Sequence, residues 1–146
     1  MFRGSFPTRV DEKGRIKVPA DFKRVVDTKY GAQFYITSRD GKIAEIYPLK
    51  EWEAIENKIK DLPQSNAAVQ KLLDTTSYYG QEVEIDGQGR LLLPSLLREK
   101  ANLKGEVSVV GALTKLKVRV LEDYRKAVEE NPITAEDEQA LAQLGI

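Results

Sequence analysis

Two arginines carry the most pointed chemical signal in this chain. Arg15 closes the run Asp11-Glu12-Lys13-Gly14-Arg15 and Arg90 closes Asp86-Gly87-Gln88-Gly89-Arg90, so D-x-x-G-R is written twice, 75 positions apart. A guanidinium is permanently charged, planar and forked, and it pairs in bidentate fashion with a carboxylate, a phosphate or the O6/N7 edge of guanine. The spacing leaves two readings open. An Asp at i and an Arg at i+4 across a tight turn can close a local ion pair that fixes the turn. Alternatively, the arginine projects from a narrow β-ribbon into a major groove, with Lys13 touching phosphate beside it. Arg3, Arg9 and Lys17 extend the positive stretch, and Arg90 is the second-copy equivalent of Arg15. Asp11 and Asp86 read as structural, because a carboxylate facing phosphate would repel it. Gly14 and Gly89 stand where a hairpin turn needs positive φ, which glycine adopts at little cost.

Composition narrows the chemistry. The chain has neither cysteine nor histidine. Disulfides, thiolate nucleophiles, histidine-based triads and the commonest zinc sites are therefore excluded. No pair of clustered carboxylates suggests an acid–base site, so the sequence predicts no catalytic residue, no metal and no cofactor. The absence of cysteine and of any signal-like or membrane-length apolar run points to the cytoplasm. Net charge is zero, but unevenly spread. Residues 1–30 hold eight basic and four acidic side chains, net +4, while residues 106–146 hold five and eight, net −3. Separated charge of this kind gives a neutral molecule one positive face that attracts a polyanion.

The elements that must position the arginines are also doubled. Laid over Ile85–Lys100, Val10–Val25 matches Asp11 with Asp86, Gly14 with Gly89, Arg15 with Arg90 and Pro19 with Pro94. Ile16/Leu91, Val18/Leu93, Phe22/Leu97 and Lys23/Arg98 are alike in kind. Each copy reads as strand, turn, strand, short helix, strand, strand, with the proline in the first helical turn, where a missing N–H is harmless. Between the copies, Trp52, Ile55, Ile59 and Leu62 mark one amphipathic helix. A second, capped by Ser65, carries Val69, Leu72, Leu73 and Thr76. Beyond the second copy "LEDYRKAVEEN" is helical in pattern, and Thr134 with Asp137 forms a capping box for a last helix. The predicted division is residues 1–48 for the first repeat, 49–80 for connecting helices, 81–121 for the second repeat and 122–146 for a helical tail. A half this small buries too little surface to be stable alone. The two repeats are therefore expected to interleave in one α+β, β-rich, pseudo-symmetric barrel, in which the two turns need not be close together.

"MFRG" at the start, "DEKGRIKVPADFK", "DGQGRLLLPSLLR" and "KGEVSVVGA" resemble the signatures of the MraZ family, bacterial regulators built from two SpoVT-AbrB-like repeats. The resemblance runs from Met1 to about Tyr124. It implies a swapped-hairpin barrel, a closed homo-oligomeric ring of about eight or more subunits, and nucleoid-associated binding to short repeated boxes in promoter DNA. The promoter implied is typically that of the regulator's own cell-wall and division gene cluster, and the leading reading of the chain is a DNA-binding repressor. The sequence departs from a perfect doubling at Gln88, which replaces the charge of Lys13, and at Glu12, an acid inside the first loop. Two other classes compete with a DNA-binding regulator. One is an interaction module or antitoxin using the acidic tail from Glu122 to Ile146 to hold a partner protein; the other is a carboxylate enzyme, for which no residues offer an anchor.

Overall fold

Pro19 and Pro94, each with φ near −55°, turn the chain from a three-residue strand into a helix in both copies. Around that shared unit a computed structural model describes all residues from Met1 to Ile146. The first half contains β1 (Ser5–Arg9), β2 (Arg15–Lys17), α1 (Ala20–Lys29), β3 (Gln33–Thr37) and β4 (Ala44–Pro48). The second repeats the order as β5 (Gln81–Glu84), β6 (Arg90–Leu92), α4 (Ser95–Lys100), β7 (Glu106–Ala112) and β8 (Lys115–Val120). Helices α2 (Leu49–Ile59) and α3 (Ala67–Tyr78) join the halves, and α5 (Leu121–Glu129) and α6 (Ala135–Gln143) end the chain. Both prolines occupy the N-cap rather than the first helical turn expected for them, and no side chain caps either helix.

The fold is α+β, with two antiparallel assemblies. Six strands form a sheet in the order β1-β7-β8-β4-β3-β5, and β2 pairs with β6 in a separate two-stranded ribbon. The sheet order is open, with β1 and β5 at its edges. Strands leave their own half to find partners. β1 pairs with β7 and β5 with β3, while β4 and β8 join the halves at mid-sheet. Consequently β1 and β2 do not form the hairpin that the D-x-x-G turn suggests; each takes a partner from the second half.

Burial follows the same exchange. Eighteen residues make one apolar core, nine from each half, including Ile16, Phe22, Phe34 and Ile46 on one side and Leu91, Leu97, Val107 and Val118 on the other. Phe22 stands edge-on to both Phe2 and Phe6, which fixes α1 against the start of the chain. Each such side chain withdrawn from water contributes roughly 1.5–3 kcal/mol, so neither half holds enough of them to stand alone.

The connecting helices cover the first half. Trp52 stacks on Tyr35 at 4.7 Å and lies against Tyr47. The carbonyl of Thr76 accepts from Tyr35 Oη and Thr37 Oγ1 at 2.9 and 2.8 Å, tying α3 to β3. The cap of α3 is Asn66, not Ser65: its side chain accepts from the N–H groups of Ala68 and Val69. An asparagine one residue nearer the helix reaches those donors where the serine does not. The Thr134–Asp137 capping box is present as the sequence predicts. Neither α5 nor α6 buries a residue. No helix is long and apolar enough to cross a membrane.

Candidate nucleic-acid interface

The two D-x-x-G-R loops fold identically because aspartate can accept from the backbone two and four residues ahead of it. In the first loop Asp11 Oδ1 accepts from the N–H of Lys13 at 2.9 Å and of Arg15 at 2.8 Å, and Oδ2 accepts from Arg15 Nε at 2.7 Å. In the second, Asp86 Oδ1 accepts from the N–H of Gln88 and of Arg90, and Oδ2 from Arg90 Nε, all at 2.9 Å. Backbone bonds from Gly14 N–H to the Asp11 carbonyl and from Gly89 N–H to the Asp86 carbonyl tighten each turn, both at 3.0 Å. Gly14 and Gly89 have φ of 86° and 75°, the left-handed region the turn demands. The N–H of Arg15 above all, with its side chain assisting, holds the Asp11 carboxyl below its ordinary pKa; the N–H of Arg90 does the same for Asp86.

These loops feed the ribbon. After the loops, β2 and β6 run antiparallel with Arg15 opposite Leu92, Ile16 opposite Leu91 and Lys17 opposite Arg90. Ile16 and Leu91 point inward and are fully buried. Alternation then turns Arg15, Lys17, Arg90 and Leu92 to the outer face. Each loop also locks the other half's strand, because the Gly14 carbonyl accepts from Leu93 N–H and the Gly89 carbonyl from Val18 N–H. The two turns, which need not have been close together, lie at opposite ends of one short ribbon.

The arginines are not at the loop tips. The tips are Glu12–Lys13 and Gly87–Gln88, all exposed, while Arg15 and Arg90 begin the strands with side chains 26% and 28% exposed. The local ion-pair reading of the motif therefore holds for both loops. Nε of each guanidinium is committed to aspartate, and the terminal nitrogens make no bond within the chain. The two arginines are diagonal neighbours across the ribbon, about 7–8 Å apart by ordinary sheet spacing. Lys17 directly opposite Arg90 is a like-charge pair, which destabilises a ribbon unless an anion lies over it.

The remaining candidates scatter. Lys13 sits on the first tip, close to this face. Arg3 lies two residues before β1, beside the bridge from Phe2 to Leu113, with the whole of that strand between it and the D-x-x-G-R loop. The structure does not bring it to the ribbon. Arg9 is drawn to Glu106 on β7 at 3.6 Å. Leu92, 47% exposed at the Arg15 end of the cationic face, had no signal in the sequence beyond its place in an apolar run.

The ribbon presents three cations and one methyl-rich side chain from a rigid two-stranded scaffold, a width that a major groove accommodates. No group of histidine, cysteine or carboxylate side chains is arranged to hold a metal.

Known proteins with this sequence pattern are consistent along the whole chain. A family model described as "MraZ protein, putative antitoxin-like" matches residues 1–75 and 80–144. A protein named transcriptional regulator MraZ from Acidobacterium capsulatum is 58% identical over 146 residues, covering all of both chains. Its namesake in Koribacter versatilis is 55% identical over 147 residues, again end to end. One from Syntrophobacter fumaroxidans is 38% identical over 117 residues, 80% of this chain and 77% of its own. The doubled D-x-x-G-R unit, the α+β fold and these relatives together make this chain a member of the MraZ family of transcriptional regulators.

Proposed function

We propose that the chain is a sequence-specific DNA-binding repressor that reads duplex DNA with the outer face of the β2–β6 ribbon. The observation that carries this is the placement of Arg15, Lys17 and Arg90 on one face of a groove-sized ribbon, with like charges left opposed. Arg15 and Arg90 keep their terminal nitrogens for guanine edges while aspartate holds each guanidinium in plane. Lys17 and Lys13 take phosphate, and Leu92 offers apolar contact to a thymine methyl. Exchange of β1 and β5 between the halves supports describing the whole as a pseudo-symmetric, swapped-hairpin barrel of two repeats, residues 1–48 and 81–121.

One ribbon supplies too few base contacts for specific occupancy, since each good bidentate pair gives only about 1–3 kcal/mol of discrimination. A homo-oligomeric ring engaging several repeated promoter boxes raises avidity through effective concentration. The boxes of its own cell-wall and division gene cluster are the natural target for a regulator of this family.

The test is a gel-shift titration of the purified full-length protein on its own upstream DNA. Retarded, box-dependent complexes that dissolve as salt rises are the expected result. A second reading, an antitoxin-like module, is favoured by the unburied acidic helices α5 and α6. Co-purification of a partner protein with no shift of upstream DNA would establish that reading instead.

A further inference from the structure

The two reading loops are matched bond for bond, yet they are backed differently. Beneath the first lies Arg98, reaching across from α4 of the other half. Its Nη1 donates to the Lys13 carbonyl at 3.4 Å, and its guanidinium fills the space where a side chain on Gly14 would stand. Its Nε is the one buried side-chain nitrogen or oxygen in the molecule without a hydrogen-bond partner, and no carboxylate neutralises the group. A cation is seldom left half-buried and unpaired without a use.

The pseudo-equivalent behind the second loop is Lys23. Its ammonium is turned away to Asp27 at 2.6 Å, and only its stem approaches, with Cε 3.8 Å from where a Cβ on Gly89 would lie. No side chain bonds to the second loop's backbone from the other half. The first loop has a hydrogen-bonded floor; the second is covered by the Lys23 stem without a bond.

We infer that Arg98 is a positioning residue that stiffens the first loop, so that Lys13 and Arg15 are presented to DNA pre-organised while Gln88 and Arg90 adapt. The first loop then dominates recognition. This rests on the ribbon being the duplex-binding face. Pre-organisation matters because affinity is lost to every side chain that must be ordered on binding. The guanidinium under Gly14 is held partly by shape, so lysine, lacking the planar fork, should not replace it fully.

The experiment has a DNA-free and a DNA-bound arm. In the first, amide hydrogen exchange at Lys13 and Arg15 should be slower than at Gln88 and Arg90 in the wild-type protein, and Arg98→Ala should abolish the difference. Arg98→Lys, which keeps the stem and charge and so guards against misfolding, should speed exchange in the same loop. Equal exchange in the two loops of the wild type, or exchange indifferent to either variant, overturns the brace. In the second arm a double-mutant cycle is measured on duplex DNA. Arg98→Ala alone should weaken binding about tenfold, and in an Arg15→Ala background it should add little, as contacting residues couple. An additive loss would make Arg98 a direct phosphate contact and refute the positioning role. Binding unchanged by Arg15→Ala would instead refute the duplex-binding face, leaving the exchange result to stand by itself.

Discussion

At the scale of single residues, the D-x-x-G-R signature divides one guanidinium: part is bonded within the loop, and part is proposed to meet DNA. Nε goes to aspartate and fixes the loop; the outer nitrogens stay free for a ligand. Arg15→Ala should therefore weaken duplex binding about 5- to 150-fold, the loss expected for one bidentate base contact. Lys17→Ala should lower affinity for all sequences alike and flatten the salt dependence by about one phosphate's worth, about 0.9 in slope. Acid probes the structural half of the motif. Because the folded state depresses the Asp11 and Asp86 pKa, their contribution is fully present above the unfolded value and lost as pH falls through the lower folded one. Amide shifts of Lys13, Arg15, Gln88 and Arg90 should thus titrate with midpoints below 3.8, the ordinary value for the carboxyl. Midpoints at or above that value would mean the carboxylates do not hold the loops.

At the scale of elements, the ribbon is built by exchange, and this is what sequence patterns reveal least. The short strands, the proline-led helices and the turn glycines could be read from residue types alone, because each is fixed by local backbone chemistry. Which strand pairs with which could not. Nothing in "RIK" or "RLL" says that these three-residue strands will find each other rather than β1 and β5. That outcome follows from Ile16 and Leu91 meeting in a core that both halves share. The same blindness applied to Arg3, near in sequence but carried away along β1, and to Arg98, distant in sequence but folded under Gly14. The Lys23/Arg98 match in the repeat was the only trace of the latter. Boundaries failed by one residue where two cap formers were adjacent, as at Ser65 and Asn66. Asn66→Ala should accordingly cost about 1 kcal/mol of stability in denaturant unfolding, and Ser65→Ala far less. Leu91→Ala, under the ribbon, should cost about 2–5 kcal/mol and weaken DNA binding as the cationic face loses its support.

At the scale of the whole molecule, a neutral chain has one cationic end. Residues 1–30 carry a net charge of +4 and residues 106–146 one of −3, and interleaving brings Arg90 of the second half onto one ribbon with Arg15 and Lys17. Interleaving also makes folding all-or-none. Residues 1–80 alone would leave β1 without β7 and β3 without β5, so that fragment should show no cooperative unfolding transition, while the intact chain shows one. The proposed recognition requires DNA to be held on the ribbon's outer face. The direct measurement is duplex affinity against salt for the wild-type protein and for an Arg15→Ala, Lys17→Ala, Arg90→Ala triple variant, with thermal unfolding recorded for both. The wild type should bind its upstream boxes with affinity falling steeply as salt rises, and the triple variant, still folded, should lose box-specific binding and most of that salt dependence. A folded triple variant that binds the boxes as tightly as the wild type, with the same salt slope, would contradict the account.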